Sequence, residues 1–323
     1  MRVVVLEGGR SSEHEVSLRS AAAIAAGLRA AGHQVEVVTL ARDGSWSHDG
    51  SPVALVPGAG LLGADVVVPG LHGAFGEDGT VQGLLELLDV PFTGSGVLAS
   101  ALCLDKIAFK DVMVAHDIPQ VGYAAALAGT EAPDVSALGW PLWVKPARMG
   151  SSVGIARVTD QAQLAAALDQ AFDHDERVII EASASGIEVE CSALGPTASP
   201  RISTPGEIVL SAEGGWYDYE AKYSEGGMRL QVPARISERA QARLTEIAAR
   251  AFTVSGCSGY ARIDFFVDGG DVLLNEINTL PGQTETSVFA ALWAHDGIGY
   301  SALLEQICEL GIERHRAERA LEF

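Results

Sequence analysis

Positive charge is scarce in this chain of 323 residues. Lys and Arg together number 22 against 42 Asp and Glu, which gives a formal net charge of −20. Binding to the phosphate backbone of nucleic acids requires clustered Lys and Arg. The charge balance therefore argues against a nucleic-acid-binding protein and favours a protein that acts on small molecules.

Cysteine and long apolar runs are also scarce. The four cysteines are widely spaced and form no CxxC pair, so neither a zinc site nor a disulfide framework is indicated. No stretch approaches the roughly 18 apolar residues of a membrane span, and "MRVVVLEGG" does not resemble an export signal. We expect no membrane partner and a reducing, cytoplasmic location.

Only four of the basic residues are lysine: Lys106, Lys110, Lys145 and Lys222. A compact ammonium suits positions where the planar guanidinium of arginine does not fit. Each lysine is therefore a candidate ligand-binding residue, the alternative being that four lysines occur by chance.

The first 95 residues alternate predicted strands and helices, as in a doubly wound α/β unit whose ligands bind at the carboxyl ends of its strands. A long helix, "VLASALCLDKIAFKDVMVAHD", and short strands follow it. The remainder contains further strands, a helix, a hairpin and a C-terminal helix. We predict an α/β fold of three domains with boundaries at 1–96, 97–187 and 188–323.

Two common nucleotide-binding motifs are missing. The turn "GGRSSEHEVS" lacks GxGxxG, and no GK[ST] of a Walker A loop occurs in the chain. The turn does place glycines before a helix N-terminus, which suits an anion such as a substrate carboxylate. Glu13, deep in this loop, is a candidate ligand for an ammonium group, whereas Glu15 is interpreted as a complement to the helix dipole.

The segment "KPARMGSSVG" places Lys145 after an apolar strand and before a Gly-Ser loop. An ammonium group, free backbone N–H groups and hydroxyls favour phosphate binding, although the loop alone could be a surface turn. Glu181 and Glu188 lie at a strand end and inside the next strand, where they could bind a nucleotide or face solvent. "WYDYEAKYSEGG" has the composition of a mobile lid, or of an ordinary exposed loop.

The hairpin "GYARIDFFVDGGDVLLNEINTLPG" carries polar residues inside apolar strands. Glu276 and Asn278 are two residues apart and share a face of their strand. A turn with an odd number of residues places Asp264 on that same face, which is our expectation, and an even turn places it on the opposite face. Two carboxylates and an amide oxygen favour Mg²⁺. The alternative is a pair of buried acids that share a proton or pair with Arg262.

Five blocks of this sequence together resemble the D-alanine:D-alanine ligases of the ATP-grasp superfamily, in order and over nearly the whole chain. They are "GGRSSEHEVSLRSA", "LHGAFGEDGTVQGLLELLDVPFTGSGVLASALCLDK", "KPARMGSSVGI", "YDYEAKY" and "ARIDFF...LLNEINTLPG". The resemblance implies an N-terminal α/β substrate domain, a central ATP-binding subdomain and a C-terminal ATP-grasp catalytic domain.

The implied reaction joins two D-alanines to D-alanyl-D-alanine for peptidoglycan precursor synthesis. ATP phosphorylates the carboxylate of the first D-alanine, and the amine of the second attacks the acylphosphate, a chemistry that depends on positioning and charge neutralisation. A homodimer is expected by analogy.

The resemblance also assigns roles to residues. Lys106 and Lys145 contact the ATP phosphates, whereas Glu181 and Glu188 bind adenine and ribose groups. The full ATP-binding set is Lys106, Lys145, Glu181, Ala182, Ala184 and Glu188. Asp264, Glu276 and Asn278 hold two Mg²⁺ ions, with Mn²⁺ as an alternative ion.

The implied catalytic residues are Glu13, Ser151, Tyr223 and Arg262. Glu13 holds the first ammonium with help from His72, Arg262 stabilises the acylphosphate, and Ser151 and Tyr223 link the closed lid to Glu13. Lys222 and Ser287 hold the second substrate's carboxylate. The full substrate-binding set is Glu13, Val16, His72, Lys222, Gly282, Ser287 and Val288. Tyr223 fits the dipeptide-forming pattern, and Lys110 is interpreted as a surface residue.

One segment departs from the family pattern. In "QTETSVFAALW", Gln283 replaces an apolar residue, Glu285 adds a charge and Ala290 replaces a proline. Because Ser287 and Val288 border the second-substrate pocket, the departure suggests an alternative function. This alternative is a paralogous ATP-grasp dipeptide ligase with a different second substrate, acting in self-resistance or natural-product biosynthesis.

Overall fold

The computed structural model describes residues 1–150, 153–210 and 228–322. These residues form three β-sheets with helices packed on them. Within these ranges, no helix is both long and apolar enough to cross a membrane.

The first sheet has the strand order β4-β3-β2-β1-β5. Its strands are β1 (Arg2–Gly8), β2 (Gln34–Leu40), β3 (Trp46–His48), β4 (Ser51–Pro52) and β5 (Val66–Pro69). β1 runs parallel to β2 and β5, as the alternating pattern predicted. Helices α1 (His14–Ala30) and α2 (Thr80–Leu88) complete this α/β unit.

The second sheet has the order β6-β9-β7-β8 and is antiparallel. Its strands are β6 (Tyr123–Leu127), β7 (Leu142–Pro146), β8 (Ala156–Val158) and β9 (Arg177–Ala182). Helix α5 (Gln161–Phe172) covers the apolar face of this sheet, where Leu164 and Leu168 join the core. The other face carries Lys145 and Glu181.

The third sheet has the order β13-β12-β10-β14-β15, with β11 paired to β10. Its strands are β10 (Ile187–Gly195), β11 (Arg201–Ile202), β12 (Gly206–Leu210), β13 (Met228–Gln231), β14 (Gly259–Asp268) and β15 (Asp271–Asn278). One face packs its apolar residues against helix α6 (Glu238–Val254), forming the largest core cluster of the described residues. Since side chains alternate along a strand, the polar residues of the same strands lie on the opposite face.

The predicted long helix after residue 96 is two helices, α3 (Val97–Leu104) and α4 (Lys106–Ala115). Asp105 between them has an extended backbone, and its Oδ1 accepts hydrogen bonds from the N–H groups of Ile107 and Ala108 at 3.2 and 3.0 Å. Asp105 thus ends one helix and caps the next. The sequence prediction of a single helix was wrong because the helical period continues through the break.

The chain ends with α7 (Val288–His295) and α8 (Tyr300–Arg319). Leu304 and Cys308 of α8 pack in one core cluster with Ile24 of α1 and Val3 of β1. The C-terminal helix therefore returns to the N-terminal unit.

Candidate active site

The hairpin of β14 and β15 brings its two carboxylates together by a route that we did not predict. The turn contains two residues, Gly269 and Gly270, so it is even and the expected odd turn is wrong. An irregularity between Asp264 and Phe265 leaves Asn275 without a partner on the opposite strand, and Asp264 consequently pairs with Glu276. This β-bulge changes which residues oppose each other, so the carboxylates share a face despite the even turn.

The face so formed extends across three strands. Glu190 of β10 lies opposite Asp264, which lies opposite Glu276. Arg262 is held between two of these acids: its Nε is 2.9 Å from Glu190 Oε2, and its guanidinium makes bonds of 2.8 and 2.7 Å to Asp264. The pairing of Asp264 with Arg262, which the sequence left as an alternative to metal binding, is present here.

Asn278 lies beside these acids, opposite Arg262. Its Oδ1 is buried and accepts no hydrogen bond from the residues that the structure describes. A buried amide oxygen without a donor beside two carboxylates has the hard-oxygen chemistry that Mg²⁺ requires. Among the described residues no three His, Cys, Asp or Glu side chains cluster as a metal site, so a metal here would depend on the amide as well as the acids.

Helix α4 and the second sheet together supply a group of buried charges that we call the lysine–glutamate triad: Lys110, Glu181 and Lys145. Lys110 Nζ is 2.9 Å from Glu181 Oε1, and Lys145 Nζ is 2.6 Å from Glu181 Oε2. Lys110 is 1 % exposed, so its interpretation as a surface residue was wrong. The error arose because the four-residue spacing from Lys106 says nothing about which helical face is buried.

The two ammonium groups control the ionisation of Glu181. Burial alone would raise the pKa of this carboxyl, but Lys145 and Lys110 outweigh burial and lower the pKa to about 2. Burial likewise disfavours the charged form of Lys145, yet the carboxylates of Glu181, Glu276 and Glu188 raise its pKa above the ordinary value. Glu181 and Lys145 are therefore both charged at neutral pH.

Lys106, the first residue of α4, joins this helix to the loop that follows β7. Its Nζ donates a hydrogen bond of 2.7 Å to the Met149 carbonyl, and its backbone N–H donates one of 3.0 Å to the Ala147 carbonyl. The ammonium group is thus fixed beside the start of the Gly-Ser loop.

A cavity of about 280 Å³ lies between the second and third sheets. It is lined by eight residues of the predicted ATP and metal sets: Lys106, Lys145, Glu181, Ala182, Ala184, Glu188, Asp264 and Glu276. Trp143, Val189 and Phe266 add apolar surface. Cations and apolar walls in one cleft suit a molecule that has both phosphates and an aromatic base.

A smaller cavity of about 100 Å³ adjoins the first, because Lys106, Gly150 and Glu276 line both. The predicted residues that line it are Glu13, His72, Lys106, Arg262, Glu276, Asn278 and Gly282. It therefore joins the carboxyl end of the N-terminal sheet to the polar face of the hairpin.

Glu13 and His72 lie together at one end of this smaller cavity. Glu13 is 7 % exposed and lies against Gly73, where an added Cβ would come within 2.8 Å of its Oε2. His72 is buried, with Nε2 at 2.8 Å from the Ser20 hydroxyl and Nδ1 at 3.5 Å from Glu77. Burial disfavours the His72 cation, but the Glu77 and Glu13 carboxylates outweigh it and raise the His72 pKa.

Three predicted substrate residues do not line either cavity. Val16 is buried in α1, Ser287 is the N-cap residue of α7, and Val288 packs against Ile208 and Leu292. The Ser287 hydroxyl is 2.7 Å from that of Thr284. Ser151, Lys222 and Tyr223 lie outside the described residues, as does the predicted lid.

The unusual segment after Gly282 also lies away from both cavities. Gln283 is buried, and its carbonyl accepts a hydrogen bond from the Tyr300 hydroxyl. Ala290 is buried beside Tyr260 and Trp293, whereas Glu285 is exposed. The departure thus changes the packing around α7 and α8 and not the described cavity walls.

Sequence reasoning missed two carboxylates of the site, Glu190 and Glu77. Glu190 is two residues after Glu188 and therefore on the same face of β10, a spacing that could have identified it. Glu77 had no such signal, since only the folded loop after β5 brings it to His72.

Comparison with known proteins agrees with this geometry. The family model "D-ala D-ala ligase C-terminus" matches residues 113–309, and "D-ala D-ala ligase N-terminus" matches residues 2–58 and 57–95. A D-alanine–D-alanine ligase of Solibacter usitatus is 42 % identical over 329 residues, covering 100 % of this chain and 99 % of that protein.

Two solved structures are also similar. The D-alanine–D-alanine ligase of Coxiella burnetii has a TM-score of 0.88 at 33 % identity, covering 99 % of this chain and 96 % of the other. The Bacillus anthracis D-alanine–D-alanine ligase complexed with ATP has a TM-score of 0.80 at 26 % identity, covering 98 % and 99 %.

Three sheets with a polar cleft between the second and third define an ATP-grasp protein. Both family models and the full-length relatives then specify the family. The chain belongs to the D-alanine–D-alanine ligase family and is a ligase.

Proposed function

We propose that this protein joins two D-alanines to D-alanyl-D-alanine with ATP, through a D-alanyl phosphate intermediate. The observation that carries the proposal is the pair of adjoining cavities, which share Lys106, Gly150 and Glu276. A nucleotide in the larger cavity has its phosphates next to an amino acid in the smaller one. This proximity is the main requirement for phosphoryl transfer to a carboxylate.

The larger cavity holds ATP. Lys106 and Lys145 neutralise the phosphates, and the charged state of Lys145 is supported by its raised pKa. The adenosine contacts the part of the cavity wall that extends from the triad to β10. This part carries Glu181, Ala182, Ala184 and Glu188. The apolar side chains of the cavity exclude water from the reacting phosphate.

Asp264, Glu276 and Asn278 would hold Mg²⁺, two ions by analogy, or Mn²⁺. The Asn278 Oδ1, which accepts no hydrogen bond from the described part of the chain, and the facing carboxylates support this assignment. The metal, when bound, would neutralise phosphate charge. The chain's own contribution is to keep Asp264 and Glu276 opposed through the bulge at Asn275.

The smaller cavity binds the first D-alanine. Glu13 accepts its ammonium group, and His72 supports Glu13 through their mutual attraction. Arg262 projects between Glu190 and Asp264 and stabilises negative charge on the acylphosphate and on the tetrahedral intermediate. By the family resemblance, we assign Ser151 and Tyr223 a catalytic role together with Glu13.

We assign Lys222 and Ser287 to the carboxylate of the second D-alanine, and Val16, Gly282 and Val288 to the substrate-binding set. Relatives named D-alanine–D-alanine ligases at 37 % to 42 % identity over nearly the full chain favour D-alanine as the acceptor. The position of Gln283 and Ala290 outside the cavity walls gives the alternative acceptor no support.

The dipeptide would serve as a precursor of peptidoglycan, made in the cytoplasm by a homodimer. We also propose the domain division 1–96, 97–187 and 188–323, in which each part contains one of the three sheets.

The decisive experiment measures ADP release with ATP, Mg²⁺ and D-alanine, and identifies the product by mass spectrometry. We expect ADP and D-alanyl-D-alanine in equal amounts. No turnover at millimolar D-alanine, with turnover on addition of a different amine, would disprove the acceptor assignment.

Substitution of Glu276 by Gln tests the metal assignment. Loss of one carboxylate should lower kcat at least about a hundredfold, since phosphoryl transfer depends on charge neutralisation. Glu285→Gln, an equivalent change at an exposed position, is the control. Equal activity of the two variants would contradict the assignment.

A further inference from the structure

Lys110 has no place in the proposed ATP site, although it is among the most deeply buried charges of the described residues. It is 1 % exposed, and it does not line the larger cavity. Burying a lysine side chain is unfavourable unless its charge is compensated. Its position therefore requires an explanation beyond packing.

Three elements converge on Glu181. Lys110 lies on α4, Lys145 on β7 and Glu181 on β9. Trp143 pairs with Glu181 across the strands, and Lys145 follows two residues later on the same face. Tyr123, also paired with Glu181, places its ring centroid 5.9 Å from Lys110 Nζ. Glu181 is thus enclosed by α4 and by both neighbouring strands.

The charges of the triad do not balance. Two ammonium groups share one carboxylate, which leaves a net charge of +1. Within the triad, one lysine would be enough to compensate Glu181, so one ammonium group is in excess there, and the Glu276 and Glu188 carboxylates also act on Lys145. The excess faces the cavity, because the Lys145 side chain is 17 % exposed while that of Lys110 is 1 % exposed.

We propose that Lys110 is a positioning residue that compensates Glu181 so that Lys145 can bind the ATP phosphates. With Lys110 present, Lys145 can transfer hydrogen bonds from Glu181 to phosphate oxygens without leaving an unpaired buried carboxylate. Without Lys110, Lys145 is the one cation of the triad that pairs with Glu181. The phosphates must then compete with the Glu181 carboxylate for the Lys145 ammonium group. The inference rests on the proposed role of the larger cavity as the ATP site.

The inference predicts that the effect of Lys110 depends on phosphate charge. In Lys110→Met the side-chain length is kept and Glu181 still pairs with Lys145. We expect the affinity for a non-hydrolysable ATP analogue to fall about tenfold or more, the size of one weakened charged hydrogen bond. The affinity for adenosine, which has no phosphate, should change less than about twofold.

Isothermal titration calorimetry of the full-length protein with adenosine, ADP and the ATP analogue gives these affinities. Lys110→Arg, which keeps the charge, should restore the preference for the ATP analogue over adenosine. Arg235→Met is the matched control, because it removes the cation partner of another buried acid, Glu207, outside both cavities. It should leave nucleotide affinities unchanged.

The double variant Lys110→Met with Glu181→Gln provides a second test, also usable if Lys110→Met does not fold. Removal of the carboxylate frees Lys145, so the ratio of ATP-analogue to adenosine affinity should return towards that of the wild type. An equal loss for adenosine and the ATP analogue, or a ratio that stays low in the double variant, would overturn the inference. Because binding is measured and not turnover, a failure to ligate D-alanine would leave this test intact.

Discussion

Glu190 orients the Arg262 side chain at the candidate active site. It is 2 % exposed, and it pairs with Arg262 Nε at 2.9 Å on the face that also carries Asp264 and Glu276. If Asp264 binds a metal ion, Glu190 becomes the main acidic partner of the guanidinium. The alternation of Glu188 and Glu190 along β10 places both towards the cavity, and both line it.

Glu190→Gln should therefore misplace Arg262. We expect kcat to fall about tenfold to a hundredfold, since small displacements of a catalytic group have effects of that size. The KM for ATP should change less than about threefold. Steady-state kinetics with D-alanine and ATP measure both constants.

Glu207→Gln is the control for this variant. Glu207 is also 2 % exposed and pairs with an arginine, Arg235, but its partner on β10 is Val189, so it lies on the opposite face from Glu190. It should lower stability without lowering kcat. An equal loss of kcat in both variants would indicate a purely structural role for Glu190.

The junction of α3 and α4 is the element that sets the position of Lys106. Asp105 caps α4 and also pairs with Arg177 of β9, so the start of the helix is tied to the second sheet. Apolar spacing predicted helix on both sides of residue 105 but not the break. A single acidic residue inside a helical pattern becomes a cap only when its partners, here Arg177, are brought to it by folding.

Asp105→Ala should affect stability and nucleotide binding together. The loss of a helix cap and an ion pair should lower the free energy of unfolding by about 2 kcal/mol. We also expect the KM for ATP to rise about threefold or more, because Lys106 is the next residue. Urea denaturation and initial-rate kinetics measure the two effects.

Asp160→Ala is the control for this variant. Asp160 caps α5, accepting a hydrogen bond of 3.0 Å from the Gln163 N–H, and it lines neither cavity. It should lower stability by a similar mechanism and leave the KM for ATP unchanged. A raised KM in this control as well would show that the effect of Asp105 is not local.

The two ends of the chain are joined by α8. This helix packs on α1 of the N-terminal unit and also supplies Leu303 and Ile307 to the cluster around Tyr260 of the third sheet. Gly27 of α1 allows the close approach, since an added Cβ would lie 2.6 Å from Leu304 Cδ1. The predicted third domain thus contacts the first through its last helix, and Glu13 is positioned relative to Arg262 partly by this contact.

Leu304→Ala should destabilise the molecule by about 2 to 5 kcal/mol, the usual cost of a large buried cavity. Leu304 is 2 % exposed, whereas Leu321, the control position, is 64 % exposed. Leu321→Ala should change stability by less than about 0.5 kcal/mol. Chemical denaturation followed by circular dichroism distinguishes them, and equal midpoints would contradict the role of Leu304.

Local patterns in the sequence were sufficient for the longer strands, several helices and the candidate residues of the hairpin, but not for the short strands or for α5 and α7. This is because a strand's period of two places Glu276 and Asn278 on one face whatever surrounds them. The family resemblance then predicted the ATP-grasp fold, which the comparisons confirmed. Only the tertiary structure decided how Asp264 reaches Glu276, since a bulge depends on pairing between strands. It also decided that Lys110 is buried, because Glu181 lies 71 residues further along the chain and only packing of α4 on the second sheet brings them together.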